Sequence, residues 1–286
     1  MKIRITGING YLGSMIASEL QKHGHQASGI SRDLLYGDVS ELSKSIKGTD
    51  IVINLAGAPI LQRWTSKNKQ EIYSSRVDTT SNLVTAINSL ELNDRPKKFI
   101  SASAIGIYKA GLSHSEESSL FDEGFLGKVV TGWEKPVRLL PTDVQKVIFR
   151  IGLVIGKNAQ TISKQLIPFK LGLGAKIGSG KQPFPFIHEE DLLRAFIWAV
   201  EEHEKDNTFN LVAPESINNK EFTSAFAQSL NRPAFFTIPE FAIKLALGEA
   251  AVLLTQSPEV SSERVQKAGF QFNYPNIASA FKEILG

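Results

Sequence analysis

The chain has 286 residues, of which 42% are hydrophobic and 21% charged, with a formal net charge of +3 and no cysteine. This composition is that of a globular protein long enough for one large domain or for a large domain and a smaller lobe. The small net charge argues against a nucleic-acid partner, and the lack of cysteine excludes disulfides, thiolate nucleophiles and cysteine-ligated zinc. No apolar run approaches the roughly 18 residues of a membrane span and no signal-peptide pattern is present, so we expect a cytoplasmic protein without a membrane partner.

The first thirteen residues are the most informative stretch of the chain. An apolar strand, Lys2–Thr6, runs directly into three glycines spaced three apart, Gly7, Gly10 and Gly13, and apolar residues at helical spacing follow. Gly7 lets the chain bend sharply, Gly10 removes a side chain where a pyrophosphate must approach the backbone, and Gly13 lets the helix lie close to the sheet. Glycines alone are equally typical of a structural turn, but the strand–turn–helix context predicts a phosphate-binding turn.

Strands alternate with helical patterns through the first half of the chain, which is typical of a parallel sheet covered on both faces. The predicted strands are Lys2–Thr6, Gln26–Ile30, Ile51–Leu55, Lys98–Ala102 and Lys146–Ile151. Strands such as Ile51–Leu55 are almost entirely apolar, as expected when both of their faces are buried. We therefore predict an α/β fold with a doubly wound parallel sheet of the Rossmann type.

The alternation weakens after the fifth strand. We assign residues 1–151 to a nucleotide-binding domain and residues 152–286 to a smaller C-terminal substrate lobe, and we expect some later segments, such as 183–212, to return to the first domain. The loop Gly172–Gln182 holds four glycines and two lysines. It fits a second anion-binding cradle, a flexible lid or a crossover between lobes, and we expect it on the substrate side.

The end of the second strand indicates which dinucleotide is bound. An acidic residue there would accept hydrogen bonds from a free ribose 2′-hydroxyl, whereas Ser31 and Arg32 offer a hydroxyl donor and a guanidinium suited to a 2′-phosphate. These residues favour NADP over NAD. The alternative is that Arg32 is a solvated loop residue beside Asp33.

Several motifs together resemble a known superfamily. The glycine turn, Asn54–Gly57 after the third strand, Ser101–Ser103 ending the fourth and Arg150 ending the fifth are similar to those of extended short-chain dehydrogenases/reductases, which include nucleotide-sugar epimerases. Longer runs are similar to an atypical "epimerase family" branch of poorly defined function. These runs are Asn54–Ile60, Arg63-Trp64, Ser75-Arg76, Ile100–Tyr108, Trp133-Glu134, Gly178–Gln182, Phe186–His188, Ala213-Pro214, Gly248-Glu249 and Gly269–Phe272.

The resemblance implies that Asp38 and Val39 flank the adenine and that Leu55, Ala56 and Gly57 line the nicotinamide side. The complete cofactor-binding set that we predict is Thr6, Gly7, Asn9, Gly10, Tyr11, Leu12, Gly13, Ser31, Arg32, Asp38, Val39, Leu55, Ala56, Gly57 and Ser101. Related enzymes often dimerise through helices equivalent to Lys67–Leu90 and Gly124–Leu140, so we expect a monomer or a homodimer.

The usual catalytic pair of this superfamily is missing. Ordinary members use a tyrosine whose pKa is lowered by a lysine four residues later, but Val130 and Glu134 occupy these positions and no tyrosine here has such a lysine. Ser103 survives by position, and it either points into the crevice or caps the next turn. Glu134 is either a general base or an exposed residue paired with Lys135 or Arg138. The predicted catalytic residues are therefore Ser103 and Glu134.

Four residues are predicted on the substrate side: Arg76, Tyr108, Gln182 and His188. Arg76 either binds an anionic substrate group or braces its helix, and Tyr108 either donates its phenol to a ligand or packs under its loop. His188 precedes a helix, where it is either an acid or base or a structural residue. Trp133 follows an apolar helical stripe and is predicted in the core. No two of the five histidines have ligand spacing, so no metal site is expected.

Two functions from different classes remain open. The first is an oxidoreductase or epimerase of unusual mechanism, in which hydride passes between nicotinamide and a small carbonyl or hydroxyl substrate whose oxygen Ser103 orients. Sugar-like compounds are among the candidate substrates. The second is a non-catalytic regulator that senses the NADPH/NADP ratio and reports it to a partner through the C-terminal lobe.

Overall fold

The structure, a computed structural model, describes residues 1–202 and 205–286. Its strands are β1 (Lys2–Thr6), β2 (Gln26–Ile30), β3 (Ile51–Asn54), β4 (Lys98–Ala104), β5 (Ser113–His114), β6 (Gln145–Ile151), β7 (Leu153–Ile155), β8 (Ala175–Ile177), β9 (Phe186–His188), β10 (Asn207–Leu211), β11 (Phe236–Ile238) and β12 (Glu259–Val260). Its α-helices are α1 (Tyr11–Lys22), α2 (Arg32–Tyr36), α3 (Val39–Ile46), α4 (Ser66–Ser74), α5 (Val77–Asn88), α6 (Phe125–Val137), α7 (Gln160–Lys170), α8 (Glu189–Glu201), α9 (Asn219–Ser229), α10 (Glu240–Leu247), α11 (Val252–Thr255), α12 (Glu263–Lys267) and α13 (Ile277–Leu285).

Six of these strands form one parallel sheet, in the order β10-β6-β4-β3-β1-β2. The chain runs from β1 outward to β2 and then returns to the other side of β1 as β3, so the strand order reverses between β1 and β3. Ligands of such sheets bind at the carboxyl ends of the strands beside this reversal. The predicted doubly wound α/β fold is confirmed, and its binding edge carries the glycine turn.

The strands differ from the sequence prediction at their ends. The third strand ends at Asn54 because the N–H groups of Leu55 and Ala56 donate to the Thr6 hydroxyl instead of to a neighbouring strand. The fourth continues to Ala104, which pairs with the end of β6. The sixth strand, β10, comes from the 183–212 segment and was not among the five strands that the pattern predicted.

Helices cover both faces of the sheet and bury its side chains. Along β3, Ile51 and Ile53 pack in the layer formed with α1 and α8, whereas Val52 packs in the opposite layer with α3 and α5. All three side chains are buried, which explains the nearly continuous apolar sequence of the strand. This two-sided burial holds the carboxyl ends of the strands in fixed register.

Several elements after β6 form a second core. Helices α7, α9 and α13 meet through aromatic rings, with Phe169 stacked on Phe226 at a centroid distance of 4.3 Å and Phe226 stacked on Phe281 at 5.0 Å. By contrast, α8 and β10 pack in the layers of the main sheet. The domain boundary near residue 151 stays a prediction. Across the described residues, the helices are too short or too polar to cross a membrane.

Candidate functional site

The glycine turn after β1 is packed too closely for side chains. Gly7 has a φ of +69°, and a Cβ there would lie 3.0 Å from the Leu55 carbonyl oxygen. At Gly13, a Cβ would lie only 2.2 Å from the carbonyl oxygen of Gly7. The Gly10 N–H donates to that same oxygen at 2.9 Å. The turn therefore brings α1, with its free N-terminal N–H groups, against the end of β1, as a phosphate-binding turn requires.

Buried polar side chains join the ends of β1, β3 and β4 beneath this turn. The Thr6 hydroxyl donates to Asn54 Oδ1 at 2.8 Å, and Asn54 Nδ2 donates to the hydroxyls of Thr80 at 2.8 Å and Ser101 at 3.3 Å. Thr6 and Ser101 are at most 1% exposed. The two residues fix the position of the glycine turn relative to Leu55, and their direct contact with a cofactor stays a prediction.

A cleft of about 540 Å³ lies along this edge of the sheet. Seven members of the predicted cofactor set line it: Gly7, Asn9, Gly10, Ser31, Arg32, Ala56 and Gly57. Asp38 and Val39 are not in its lining. Asp38 instead caps α3 by accepting the N–H groups of Ser40 at 2.7 Å and Glu41 at 3.4 Å, and hydrogen bonds from these residues lower the pKa of Asp38. The Asp38 carboxylate is therefore already used to cap α3, and this capping role competes with its expected contact with adenine.

Ser31 and Arg32 lie at the outer end of the cleft. The Ser31 hydroxyl caps α2 by accepting the Leu34 N–H at 3.3 Å. The Arg32 side chain is 71% exposed, with its guanidinium 5.6 Å from the Tyr36 ring centroid and 3.6 Å from a Glu71 carboxylate oxygen. An exposed ion pair of this kind is weak, so a phosphate could displace Glu71. Both alternatives for Arg32 remain open on this geometry.

Ser103 and Glu134 meet in a buried hydrogen-bonded chain. Ser103 Oγ donates to Glu134 Oε1 at 2.6 Å, while Arg150 Nε and Nη2 donate to the two carboxylate oxygens at 2.8 and 2.7 Å. Arg150 Nη1 donates to the Tyr108 hydroxyl, which donates to Asn210 Oδ1, both at 2.8 Å. All five residues are at most 3% exposed. The alternative that Glu134 is an exposed residue paired with Lys135 or Arg138 is therefore wrong, since its partner is an arginine on β6.

The ionisation states of Arg150 and Tyr108 in this chain of hydrogen bonds follow from their contacts. Burial disfavours the charged guanidinium of Arg150, but the hydrogen bonds and charge of Glu134 outweigh it and raise the pKa of Arg150. Burial also raises the pKa of Tyr108, which Arg150 partly opposes. The phenol of Tyr108 is therefore protonated, and its proton is directed at Asn210 instead of at the cleft.

Arg76 lies behind the cleft, in contact with Gly57, which lines it. Its guanidinium packs against Gly57, where a Cβ would come within 2.8 Å of Arg76 Cζ, and lies 5.3 Å from the ring centroid of Trp133. Arg76 Nη1 donates to the Ile72 carbonyl oxygen at 3.3 Å. Burial lowers the pKa of Arg76 to about 10, so the group is still charged at neutral pH. Trp133 is 6% exposed, in agreement with its predicted place in the core.

His188 caps α8. Its Nδ1 accepts the Glu190 N–H at 3.2 Å, and its Nε2 lies 2.9 Å from a Glu283 carboxylate oxygen. The ring is 1% exposed and lies 4.0 Å from the ring of Tyr274, centroid to centroid. This arrangement matches the structural alternative for His188, and its role toward substrate stays a prediction.

The loop Gly172–Gln182 is held by its own side chains. Gln182 Nε2 donates to one carbonyl oxygen of the loop at 3.2 Å and to that of Leu254 at 3.1 Å. Lys176 Nζ donates to two carbonyl oxygens of the same loop at 3.1 and 3.4 Å. One of the two lysines of the expected anion cradle is thus turned inward, and the cradle, lid and crossover alternatives all stay open.

A further contact joins α1 to α8. The Tyr11 hydroxyl donates to Glu189 at the start of α8, and the Lys157 N–H donates to the other carboxylate oxygen at 3.2 Å. Burial raises the pKa of Glu189, and the nearby Glu283 adds to this effect. Over residues 1–202 and 205–286, side chains form no cluster suited to a metal ion, and His203 lies outside those residues.

Comparison with known proteins agrees with this geometry. Residues 3–124 match the NAD dependent epimerase/dehydratase family, and residues 238–284 match a domain of unknown function, DUF1731. The mouse (Mus musculus) epimerase family protein SDR39U1 is 35% identical over 294 residues, which cover all of both chains. The chain belongs to the NAD dependent epimerase/dehydratase family. The epimerase family protein YfhF of Bacillus subtilis is 30% identical over 300 residues and covers 100% of this chain and 98% of its own. The resemblance to the atypical branch is confirmed.

Solved structures support the same assignment. The crystal structure of human epimerase family protein SDR39U1 (isoform 2) with NADPH superposes with a TM-score of 0.92 at 32% identity, covering 100% of this chain and 99% of the human chain. MoeE5 in complex with UDP-glucuronic acid and NAD superposes with a TM-score of 0.80 at 19% identity, covering 99% and 97%. The second likeness shows the fold alone.

Some cleft residues of this family member were missed by the sequence analysis. Leu35, Tyr36 and Glu71 line the outer part of the cleft together with Arg32. Leu35 and Tyr36 follow Arg32 on the short helix α2, so recognition of Ser31 as a helix cap would have indicated them. Glu71 comes from α4, and no local signal in the sequence connects it with Arg32.

Proposed function

We propose that this protein is an NADP-dependent oxidoreductase or epimerase-like enzyme that acts on a small carbonyl or hydroxyl compound, with sugar-like compounds included. The observation that carries the proposal is the glycine turn, where no side chain fits at Gly13 and where Gly7 lies against Leu55 and Ala56, directly after β3. A nicotinamide dinucleotide, when bound, supplies a hydride donor or acceptor. The family match and the dehydrogenase-type strand order support this reading.

The preference for NADP is supported by the outer end of the cleft. Ser31 and Arg32 present a hydroxyl and a guanidinium there, and the ion pair of Arg32 with Glu71 is exposed and easily exchanged. The human relative whose crystal structure contains NADPH supports the same choice. We assign NAD the weaker binding, because a free 2′-hydroxyl offers Arg32 no charge.

We assign the orientation of the substrate oxygen to Ser103. Its hydroxyl proton is donated to Glu134, so the remaining lone pairs of Oγ are acceptors for a substrate hydroxyl. Glu134 receives two further hydrogen bonds from Arg150 and is closed to solvent. We therefore propose Glu134 as the residue that sets the direction of the Ser103 hydroxyl.

Tyr108, Gln182 and His188 keep the substrate-side positions that the sequence predicts, and we propose them as such.

A substrate screen with a serine variant tests the catalytic reading. Purified protein with NADPH or NADP⁺ is incubated with aldehydes, ketones, hydroxy acids and nucleotide sugars, and nicotinamide absorbance is followed. Ser103→Ala should lower turnover of an accepted substrate by about a hundredfold without loss of NADP binding, as loss of one oriented group in an active site does. Ser43→Ala, at another buried serine, is the control. Full turnover by the Ser103 variant would contradict the assignment.

A second function, an NADP(H)-sensing regulator, is favoured by the length of the buried chain. Asn210, its last member, accepts from Tyr108, and its N–H donates to Glu116 at 2.8 Å while Nδ2 donates to the Ser261 carbonyl oxygen at 3.1 Å. The chain of hydrogen bonds thus runs from Ser103 to the segment before α12. Hydrogen exchange in residues 259–267, measured with NADP⁺ and with NADPH, tests this function. A sensor requires different protection in the two states without turnover, and equal protection would exclude it. A cytoplasmic location and a monomeric or homodimeric state stay predictions.

A further inference from the structure

Arg76 is a cation without a balancing carboxylate. Among the described residues, ion pairs of arginines with Asp or Glu involve Arg32, Arg95, Arg150, Arg194 and Arg264 but not Arg76, whose side chain donates to a neutral carbonyl oxygen, that of Ile72. The group nevertheless contacts both Gly57, which lines the cleft, and the ring of Trp133. A half-buried, unbalanced charge beside a binding cleft is costly to stability, and such features concentrate at functional sites.

Trp133, whose ring packs against Arg76, carries an unsatisfied donor of its own. Its indole N–H is one of two buried side-chain atoms in the described part of the chain that have no hydrogen-bond partner, the other being Arg4 Nε. The contrast with Trp64 is direct, because the Trp64 indole donates to the Ile60 carbonyl oxygen at 3.0 Å. Buried donors are almost always paired in folded proteins, so an unpaired one next to an unbalanced guanidinium points to an absent acceptor.

The missing acceptor has to be an anion of limited size and charge. A guanidinium presents parallel N–H groups that match the two oxygens of a carboxylate, and one guanidinium balances one negative charge. A phosphate monoester carries nearly two charges and three acceptor oxygens. The pyrophosphate of a dinucleotide has its own place at the glycine turn and the N-terminus of α1. A carboxylate therefore fits best.

We propose that Arg76 and Trp133 form a carboxylate subsite at the Gly57 end of the cleft, so that the substrate is a carboxylate-bearing carbonyl or hydroxyl compound. This inference rests on the proposed function, since it names the substrate class of the same cleft. Arg76 binds the carboxylate through its fork of N–H groups, and Trp133 stacks on the guanidinium while its indole N–H donates to the same anion or to a water bound to it.

The indole N–H resonances of ¹⁵N-labelled protein provide the test. The protein has three tryptophans, and the signal that disappears in Trp133→Phe is that of Trp133. NADP⁺ is added first, and acetate, pyruvate or inorganic phosphate is then titrated into the complex. Pyruvate and acetate should move the Trp133 signal saturably and leave that of Trp64 in place. Arg76→Gln should weaken the response by about tenfold or more, the loss expected for a charge-assisted bidentate pair.

A matched variant controls for the loss of an arginine stacked on a ring. Arg194 lies 5.6 Å from the Phe270 ring centroid but is paired with Asp191 at 3.1 Å, and Arg194→Gln should leave the pyruvate response unchanged. No response of Trp133 to either carboxylate would overturn the subsite, as would a stronger response to phosphate. A Trp133 shift caused by NADP⁺ that blocks any later response would assign the pair to the cofactor. Failure of NADP⁺ to move any resonance would instead contradict the proposed function.

Discussion

Replacement of Glu134 by Gln isolates the charge of the buried chain. The carboxylate is 3% exposed and accepts three hydrogen bonds, one from Ser103 at 2.6 Å and two from Arg150 at 2.8 and 2.7 Å. Gln has the same shape but no charge, and its amide nitrogen must face one of these donors. Glu134→Gln therefore leaves the 4%-exposed Arg150 side chain as a buried cation without a counter-ion.

The magnitude follows from the burial of both partners. Removal of one member of a buried ion pair costs about 3–5 kcal/mol, whereas replacement of both members by apolar residues is often close to neutral. We therefore expect Glu134→Gln to lower the free energy of unfolding by about 3–5 kcal/mol. The double variant Glu134→Gln with Arg150→Met should be more stable than Glu134→Gln alone, because no charge is then left behind.

Urea unfolding followed by tryptophan fluorescence measures these differences. Glu263→Gln is the control, because its ion pair with Lys267 is exposed on both sides, and it should leave the urea midpoint unchanged. A loss below about 1 kcal/mol for Glu134→Gln would refute the reasoning, since Arg150 would then find compensation elsewhere. A double variant that is less stable than Glu134→Gln would refute it as well.

Two other variants test the turn and the contact between α1 and α8. Gly13→Ala should cost about 1–3 kcal/mol and weaken NADP binding, because the new Cβ would lie 2.2 Å from the Gly7 carbonyl oxygen. Gly24→Ala, at a φ of +80° with open space around it, should cost about 1 kcal/mol and leave calorimetric NADP affinity unchanged; equal affinities for both variants would count against the turn. Burial raises the pKa of Glu189 in the folded state above 4.5. The protonated group therefore contributes stability at pH values below its unfolded pKa, and this contribution is lost as the pH rises through its folded pKa. Glu189→Gln should therefore gain urea stability relative to the parent between about pH 4 and pH 7, and a difference independent of pH would contradict this.

The sequence predicts best what local patterns determine. The strand–turn–helix unit around Gly7 and the apolar strand Ile51–Asn54 are recognisable because burial on both faces and the glycine spacing leave a direct mark on neighbouring residues. The return of β10 to the sheet is different. Its short sequence, Asn207–Leu211, acquires its place only from parallel pairing with β6.

Side-chain partners across elements could not be predicted. One alternative for Glu134 pairs it with Lys135 or Arg138 on its own helix, but its partner Arg150 lies on β6, and the packing of α6 on the sheet brings the two together. The same holds for Asp38, whose carboxylate caps the N-terminus of α3 although the resemblance assigns it to adenine. A polar residue can serve a helix end or a ligand, and sequence spacing alone does not distinguish the two.

Calorimetric titration with NADPH, NADP⁺, NADH and NAD⁺ tests the central proposal most directly. The parent protein should bind NADPH and NADP⁺ more tightly than NADH and NAD⁺. Arg32→Asp should lower this ratio of affinities by a factor of about ten or more, because a carboxylate repels the 2′-phosphate. Lys44→Asp, which reverses a charge of equal exposure on α3, should change nothing. Absence of binding by all four dinucleotides would contradict both the redox enzyme and the sensor.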